Sequence, residues 1–255
     1  TGSSHSRRYA GRARDFVSVS ETSGKGMTAT SLRLIDVERH HLTAGAAALG
    51  IELDAGMVTN FSRFADLLDI WSPRVNLLSC GSVRDLVERH FLDSLAIALL
   101  LPDSGAIVDL GSGAGFPGLP LAILRPWQRM VLVEVRRRRV SFLREVRRTL
   151  RLDNVEILEQ RAETPPADYE HRATGVLSRA VWTEESLPGF AVGWLGPQGQ
   201  LFWMRSEPLA ERWVSDALVR ERTVRYRIGN DRLRTVEILR FQSARSEPLV
   251  PRETV

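Results

Sequence analysis

A short apolar run, Ile107-Val108-Asp109-Leu110, ends in Gly111-Ser112-Gly113-Ala114-Gly115 and passes through Phe116-Pro117-Gly118 into a further apolar segment. Three alternating glycines between a strand and a helix constrain this chain more than any other feature. Glycine lets the backbone take positive φ and lets a ligand approach the main chain closely. At the carboxyl end of a strand, that is where open α/β sheets hold their ligands.

The surroundings carry the same grammar. Met130–Val133, Val155–Leu158, Thr174–Leu177 and Leu201–Met204 are short apolar runs separated by helical stretches, most clearly Arg137–Arg151 and Glu184–Leu195. Strands alternating with helices imply a parallel sheet covered on both faces. Two closing strands, near Thr223–Ile228 and Thr235–Phe241, are linked through Gly229-Asn230-Asp231. So tight a link joins antiparallel neighbours, and a terminal hairpin is expected.

Ahead of the sheet the pattern is helical. Met57, Phe61, Phe64, Leu68 and Trp71 fall on one helical face, with Asp54 as N-cap and Pro73 as the expected stop. A second helix starts near Ser82, paired with Asp85, and runs through His90 and Leu95 towards Pro102. The expected organisation is a flexible basic arm over 1–30, a helical cap over 31–101, the α/β domain over 102–242 and a tail over 243–255.

Composition narrows the class. Of 255 residues 43% are hydrophobic and 26% charged, which excludes a wholly disordered chain. The longest apolar run, Leu95–Leu101, is far short of the roughly 20 residues of a membrane span. One cysteine, Cys80, allows no internal disulfide or Cys-rich zinc site, so a reducing, cytoplasmic setting is expected. Residues 1–30 hold five basic and two acidic residues and so carry most of the net charge of +4. They lack a secretory apolar stretch, and Met27 is a candidate start. Only Lys25 is a lysine among 35 basic residues, which reads as a bias of the whole chain rather than a choice made site by site.

Two cofactors compete for the glycine loop. Gly113-x-Gly115-x-x-Gly118 satisfies the dinucleotide fingerprint, in which a pyrophosphate sits on a helix N-terminus. S-adenosylmethionine instead lies along a G-x-G-x-G loop and needs no phosphate nest. Asp109 suits the second better, since a carboxylate there can accept from an ammonium group and would repel a pyrophosphate. Glu134, ending the second strand, can accept from ribose hydroxyls of either cofactor.

Further motifs carry a family resemblance. Arg89-His90-Phe91-Leu92-Asp93-Ser94-Leu95, the glycine loop with Phe116-Pro117-Gly118-Leu119-Pro120-Leu121, Arg138-Arg139-Val140-x-Phe142-Leu143, Arg161-Ala162-Glu163 and Ser178-Arg179-Ala180 resemble the bacterial ribosomal RNA small-subunit methyltransferase G family, once called glucose-inhibited division protein B. Trp71 and Asn76-Leu77 extend the similarity upstream. The resemblance implies a class I (Rossmann-like) S-adenosylmethionine-dependent methyltransferase sheet, mostly parallel with a terminal antiparallel hairpin, behind an N-terminal helical cap. It implies methylation of a guanine N7 in 16S ribosomal RNA, with a folded small-subunit context as partner. Carried over by motif, Gly111, Gly113 and Phe116 would meet the cofactor from the loop, and Glu134 would hold its ribose. Ala162 and Glu163 would meet the adenine edge, and Arg179 the methionine end. Arg205 and Arg234 would serve RNA. Two departures stand out: Arg205-Ser206 replaces the family's Lys-Gly, and Glu237 puts a charge in the last strand. An NAD-linked oxidoreductase and a catalytically silent RNA-binding relative are the rival readings.

The remaining candidates are weaker. Arg136–Arg151 holds eight arginines and one acid; Arg144 and Arg148 lie on its polar stripe, which reads either as a solvated face or as a phosphate-tracking surface. His90 reads as a hydrogen-bonded core residue, His40 and His41 point to different faces, and Cys80 lacks a catalytic context. No metal site is expected. N7 of guanine carries an in-plane lone pair, so no general base is expected either.

Overall fold

The structure, a computed structural model, describes residues 31–179, 182–229 and 232–241. The expected arm and tail lie outside the described residues, as does Ala180 of the Ser178-Arg179-Ala180 motif. Seven strands, β1 (Ala106–Leu110), β2 (Arg129–Glu134), β3 (Val155–Glu159), β4 (Ala173–Arg179), β5 (Leu195–Arg205), β6 (Leu218–Ile228) and β7 (Arg232–Phe241), form one sheet in the order β3-β2-β1-β4-β5-β7-β6. The first five strands are parallel; β7 runs antiparallel to both β5 and β6. The doubly wound sheet and its closing hairpin are those the sequence implies. The order within the hairpin follows from composition. Thr235 to Leu239 of β7 are buried between two neighbours, whereas β6 exposes Glu221, Arg222, Arg225 and Arg227, as suits an edge strand.

Helices α1 (Asp36–Ala48) and α2 (Ala55–Val75) precede the sheet. Asp54 caps α2, accepting from the Met57 amide at 2.7 Å. Pro73 does not stop this helix. It sits inside the last turn, and α2 runs on past it to end where Asn76 turns left-handed (φ 50°). The apolar face of α2 buries Phe61, Phe64 and Leu68. Phe64 stacks on Phe116 at 5.3 Å, and Trp71 packs on Phe142 at 5.7 Å. The helical segment and one face of the sheet thus share a continuous core.

The second helix is not a single run. Ser82 caps α3 (Val83–Leu86), a wide π-helical stretch covers Val87–Leu92, and α4 (Asp93–Leu95) leads to a 3-10 turn at Ala98–Leu100. Two carbonyls of the wide stretch take side-chain partners: Arg89 accepts from Arg179 and His90 from Ser94. Such turns recur where a helix must present backbone to a site. Helices α5 (Gly118–Leu124), α6 (Arg137–Leu150) and α7 (Leu187–Trp194) connect the strands. No helix among the described residues is long and apolar enough to cross a membrane.

Candidate active site

The site gathers at the carboxyl ends of β1, β2, β3, β4 and β5, with side chains added from the helical segment before the sheet and from the closing hairpin. Gly111, Gly113 and Gly115 all have positive φ (73°, 58° and 90°), so the loop needs three residues without a Cβ penalty. The Gly111 amide donates to the Val133 carbonyl at 2.9 Å, and the Gly113 amide donates to Glu134 Oε2 at 3.0 Å. Glu134 Oε1 accepts from the Arg136 amide at 2.8 Å. The carboxylate at the end of β2 therefore fastens the glycine loop to the start of α6.

Asp109 has a different place from the one expected. It is 1% exposed beneath the loop, and its Oδ2 accepts from the Gly118 amide at 3.0 Å. Burial pushes its carboxyl up to about 7. It anchors the start of α5 instead of facing a ligand's ammonium group, because β1 is central in the sheet and its side chains are covered on both faces.

Two clefts open at this edge. The smaller, about 240 Å³, is lined by Gly111, Glu134, Ala162 and Glu163 together with Arg139 and Trp182. Four of the seven residues expected to hold a cofactor are thus brought together. Gly113 and Phe116 line neither cleft. Gly113 supports Glu134 through its amide, and Phe116 is buried against Phe64, Phe91 and His90.

The larger cleft, about 450 Å³, is lined by Arg179, Arg205 and Arg234 with Arg89, Asp93, Trp182, Glu207 and Tyr226. Here the residue expected at a methionine end meets two of those expected at RNA. Asp93 organises the cluster: its Oδ1 accepts from Tyr226 Oη at 3.0 Å and lies 3.8 Å from Arg234 Nε. Its Oδ2 lies 3.5 Å from Arg179 Nε. Arg179 also donates to the Arg89 carbonyl at 2.7 Å. Burial lowers the Arg179 guanidinium from its usual value, and burial next to Asp93 pushes the Tyr226 phenol far up. Arg205 pairs with Glu184 and lies over the Trp203 ring at 4.5 Å.

His90 packs on Phe116 at 5.0 Å with the rings tilted by 46°, with Nδ1 3.4 Å from Arg179 Nη2 and a buried Nε2 that has no partner. Burial, then Arg179, brings its ring down to about 3, so it is neutral. It is a half-buried histidine with one ring nitrogen partnered and the other not, where a hydrogen-bonded core residue was expected.

The remaining expected RNA residues stand apart. Arg144 pairs with Glu159 at 3.1 Å and Arg148 with Glu145 at 2.7 Å. Both are exposed and, with Arg147, Arg151 and Asp153, border a basin along the later turns of α6. Glu237 is fully buried and used: it accepts from the Leu209 amide at 2.8 Å and from Thr223 Oγ1 at 2.6 Å. That fastens the segment after β5 to the hairpin. Among the described residues no cluster of metal-ligating side chains occurs.

Residue-level reading missed Trp182, Tyr226 and the roles of Arg89 and Asp93. The last two lay inside a quoted motif. Trp182 follows the Ser178-Arg179-Ala180 motif closely, but nothing in its own neighbourhood marks it, and Tyr226 gives no local signal at all.

Comparison with known proteins bears on this site. The family model described as rRNA small subunit methyltransferase G matches residues 57–223. The ribosomal RNA small subunit methyltransferase G of Roseiflexus sp. (strain RS-1) is 38% identical over 187 residues, covering 72% of this chain and 78% of the relative. That of Geobacter sulfurreducens is 36% identical over 170 residues, covering 67% and 78%. Among solved structures, a SAM dependent methyltransferase from Aquifex aeolicus aligns with a TM-score of 0.45 at 18% identity, over 60% of this chain and 92% of that one.

Proposed function

The chain belongs to the rRNA small subunit methyltransferase G family, and from that premise we propose that it moves a methyl group from S-adenosylmethionine to N7 of a guanine in 16S ribosomal RNA, within the folded small subunit. One observation supports this reading above the others. A cleft lined by glycine and carboxylates and a cleft lined by arginines lie side by side at the carboxyl edge of the sheet, and Trp182 lines both.

The residues present fit the donor. Glu134 Oε1 and Oε2 each accept one backbone amide, which leaves each oxygen a second lone pair for a ribose hydroxyl. Ala162 and Glu163 flank the same cleft and would border the adenine. Arg179 Nη1 is buried with no partner and can donate to a carboxylate at the methionine end. When bound, S-adenosylmethionine supplies a methyl carbon that the N7 lone pair can take without loss of a proton. The chain's own work is then positioning, which can account for about 7 kcal/mol or more of a barrier when geometry is held closely. Arg205 and Arg234 serve RNA phosphate or base oxygen atoms. Asp93 offsets part of the charge of Arg179 and Arg234 beside the purine. Phe116, behind the loop, supports the site through its contact with His90.

The relatives lend no support to an NAD-linked oxidoreductase. Purified protein incubated with small subunits and methyl-labelled S-adenosylmethionine should place label in 16S RNA. Label confined to transfer RNA or protein, or no transfer at all, would contradict the proposal, and the last result would favour a catalytically silent relative.

A further inference from the structure

Among the described residues, four buried side-chain nitrogens cluster at the larger cleft without a hydrogen-bond partner: Arg89 Nε, His90 Nε2, Arg179 Nη1 and Trp182 Nε1. Arg89, Arg179 and Trp182 line the cleft itself, and His90 stands behind Arg179 at 3.4 Å. An arginine can only donate, so His90 Nδ1 accepts from Arg179 and the neutral ring carries its hydrogen on Nε2. All four groups are therefore donors. Buried polar groups in folded proteins are almost always paired, and a set of one sign marks a wall waiting for acceptors. The acceptors already there are committed or peripheral. Asp93 is shared by Tyr226, Arg179 and Arg234, and Glu207 is exposed at the rim.

A purine that fits such a wall must present acceptors on the edge that bears N7. Guanine does so with O6, leaving the N7 lone pair for the methyl carbon, whereas adenine replaces O6 by an amino donor. Trp182 is the donor best suited to O6. It lines both clefts, so it stands where donor and acceptor sites meet. Its ring is held edge-on by Phe190 at 5.1 Å and 76°. Its N–H is uncharged, so a bond to O6 adds nothing against the positive charge that develops on the ring as N7 is methylated.

We propose that Trp182 selects guanine over adenine, its Nε1–H donating to O6 of the base that is methylated, with Arg89 Nε on the same wall while Arg179 Nη1 meets the carboxylate of the methyl donor. The inference rests on the methyl-transfer reading above and specifies which edge of the acceptor base is read.

The test replaces one atom of the substrate. Small subunits are reconstituted with 16S RNA carrying either guanine or 2,6-diaminopurine at the modified position; the analogue keeps N7 and exchanges O6 for an amino group. The unaltered protein should methylate the analogue at least about 100-fold more slowly, as expected when a site built to donate meets a donor. Trp182→Phe, which keeps an aromatic ring and removes the N–H, should slow the guanine substrate and shrink that ratio to below about 10. Similar rates on both bases with the unaltered protein would overturn the inference, as would a Trp182→Phe variant that kept the full ratio. Because the first comparison uses unaltered protein, it can overturn the inference even if the variant fails to fold. Absence of transfer to the guanine substrate would instead overturn the methyl-transfer reading, and this inference with it.

Discussion

Asp93, at the start of α4, accepts a 3.0 Å hydrogen bond from the hydroxyl of Tyr226, 133 residues further on in the edge strand β6. That bond ties the helical segment before the sheet to the hairpin that closes it. Asp93 also lies within 4 Å of Arg179 and Arg234, so one carboxylate supports three side chains of the larger cleft.

Removing that carboxylate should therefore cost more than removing any one of its partners. Asp93→Ala leaves Arg179 and Arg234 facing each other in a buried setting and should lower stability by about 3–5 kcal/mol. Tyr226→Phe, which loses one hydrogen bond, should cost about 1–2 kcal/mol. Urea unfolding of the variants checks this; an Asp93→Ala protein within about 1 kcal/mol of the parent would show that solvent screens the cluster.

Asp109 gives a pH signature of known sign. Its carboxyl titrates at about 7 in the fold, above its ordinary value of 3.8. Between those values the folded state holds more protons than the unfolded chain, so this residue makes stability fall as pH rises from about 4 to about 7, by up to about 1.4 kcal/mol per pH unit. Asp109→Asn keeps an acceptor for the Gly118 amide and should remove that slope. Unfolding measured across the window checks it, and identical slopes for the two proteins would contradict the burial argument.

The loop glycines separate binding from folding. A Cβ on Gly113 would meet Arg139 Nη1 at 3.5 Å and the Gly111 carbonyl oxygen at 3.8 Å, both ordinary contacts, although its φ of 58° is strained for any other residue. A Cβ on Gly115 would come within 2.2 Å of Leu119 and within 3.2 Å of Leu143. Gly113→Ala should thus cost about 1–2 kcal/mol of stability from its backbone alone, while Gly115→Ala costs more. Gly113→Val, bulkier and β-branched, should abolish S-adenosylmethionine binding by disturbing Glu134, which the Gly113 amide holds, and Arg139, both of which line the smaller cleft. Titration calorimetry beside thermal unfolding tests both halves, and unchanged affinity in Gly113→Val would remove the loop from the cofactor site.

Arg144 and Arg148 differ from the other RNA candidates, because each already faces a carboxylate on an exposed surface, Glu159 and Glu145 respectively. If the later turns of α6 track phosphate, replacing both by Glu weakens RNA binding and reduces the slope of log affinity against log salt by about 1 for each phosphate no longer neutralised. An unaltered slope would make the stripe a solvated face and leave Arg205 and Arg234 as the RNA arginines.

Much of this was legible in residue order. The alternation of valine-rich runs and helices implied the sheet, and Gly111, Glu134, Ala162 and Glu163 meet in one cleft as their motifs implied. What stayed hidden has physical reasons. Pro73 reads as a stop, yet it sits inside the last turn and α2 runs on past it to Asn76. Asp109 reads as a ligand-facing acid, because its sequence cannot show that a central strand covers it on both faces. Tyr226 and Trp182 enter the site through strand order and loop placement, relations set by β7 inserting between β5 and β6 and by the proximity of two clefts. Local pattern does not encode either. The wide turn at Val87–Leu92 is equally silent, since its residues have ordinary helical composition.

Transfer of one methyl group to N7 of a 16S guanine leaves a chemical mark that can be read directly. Treating 16S RNA with borohydride and aniline, which cleaves at N7-methylated guanine, after incubation of small subunits with the protein and S-adenosylmethionine tests it most directly. One new scission that depends on both protein and methyl donor is expected. Methyl incorporation without scission, placing the group on another atom, would contradict it.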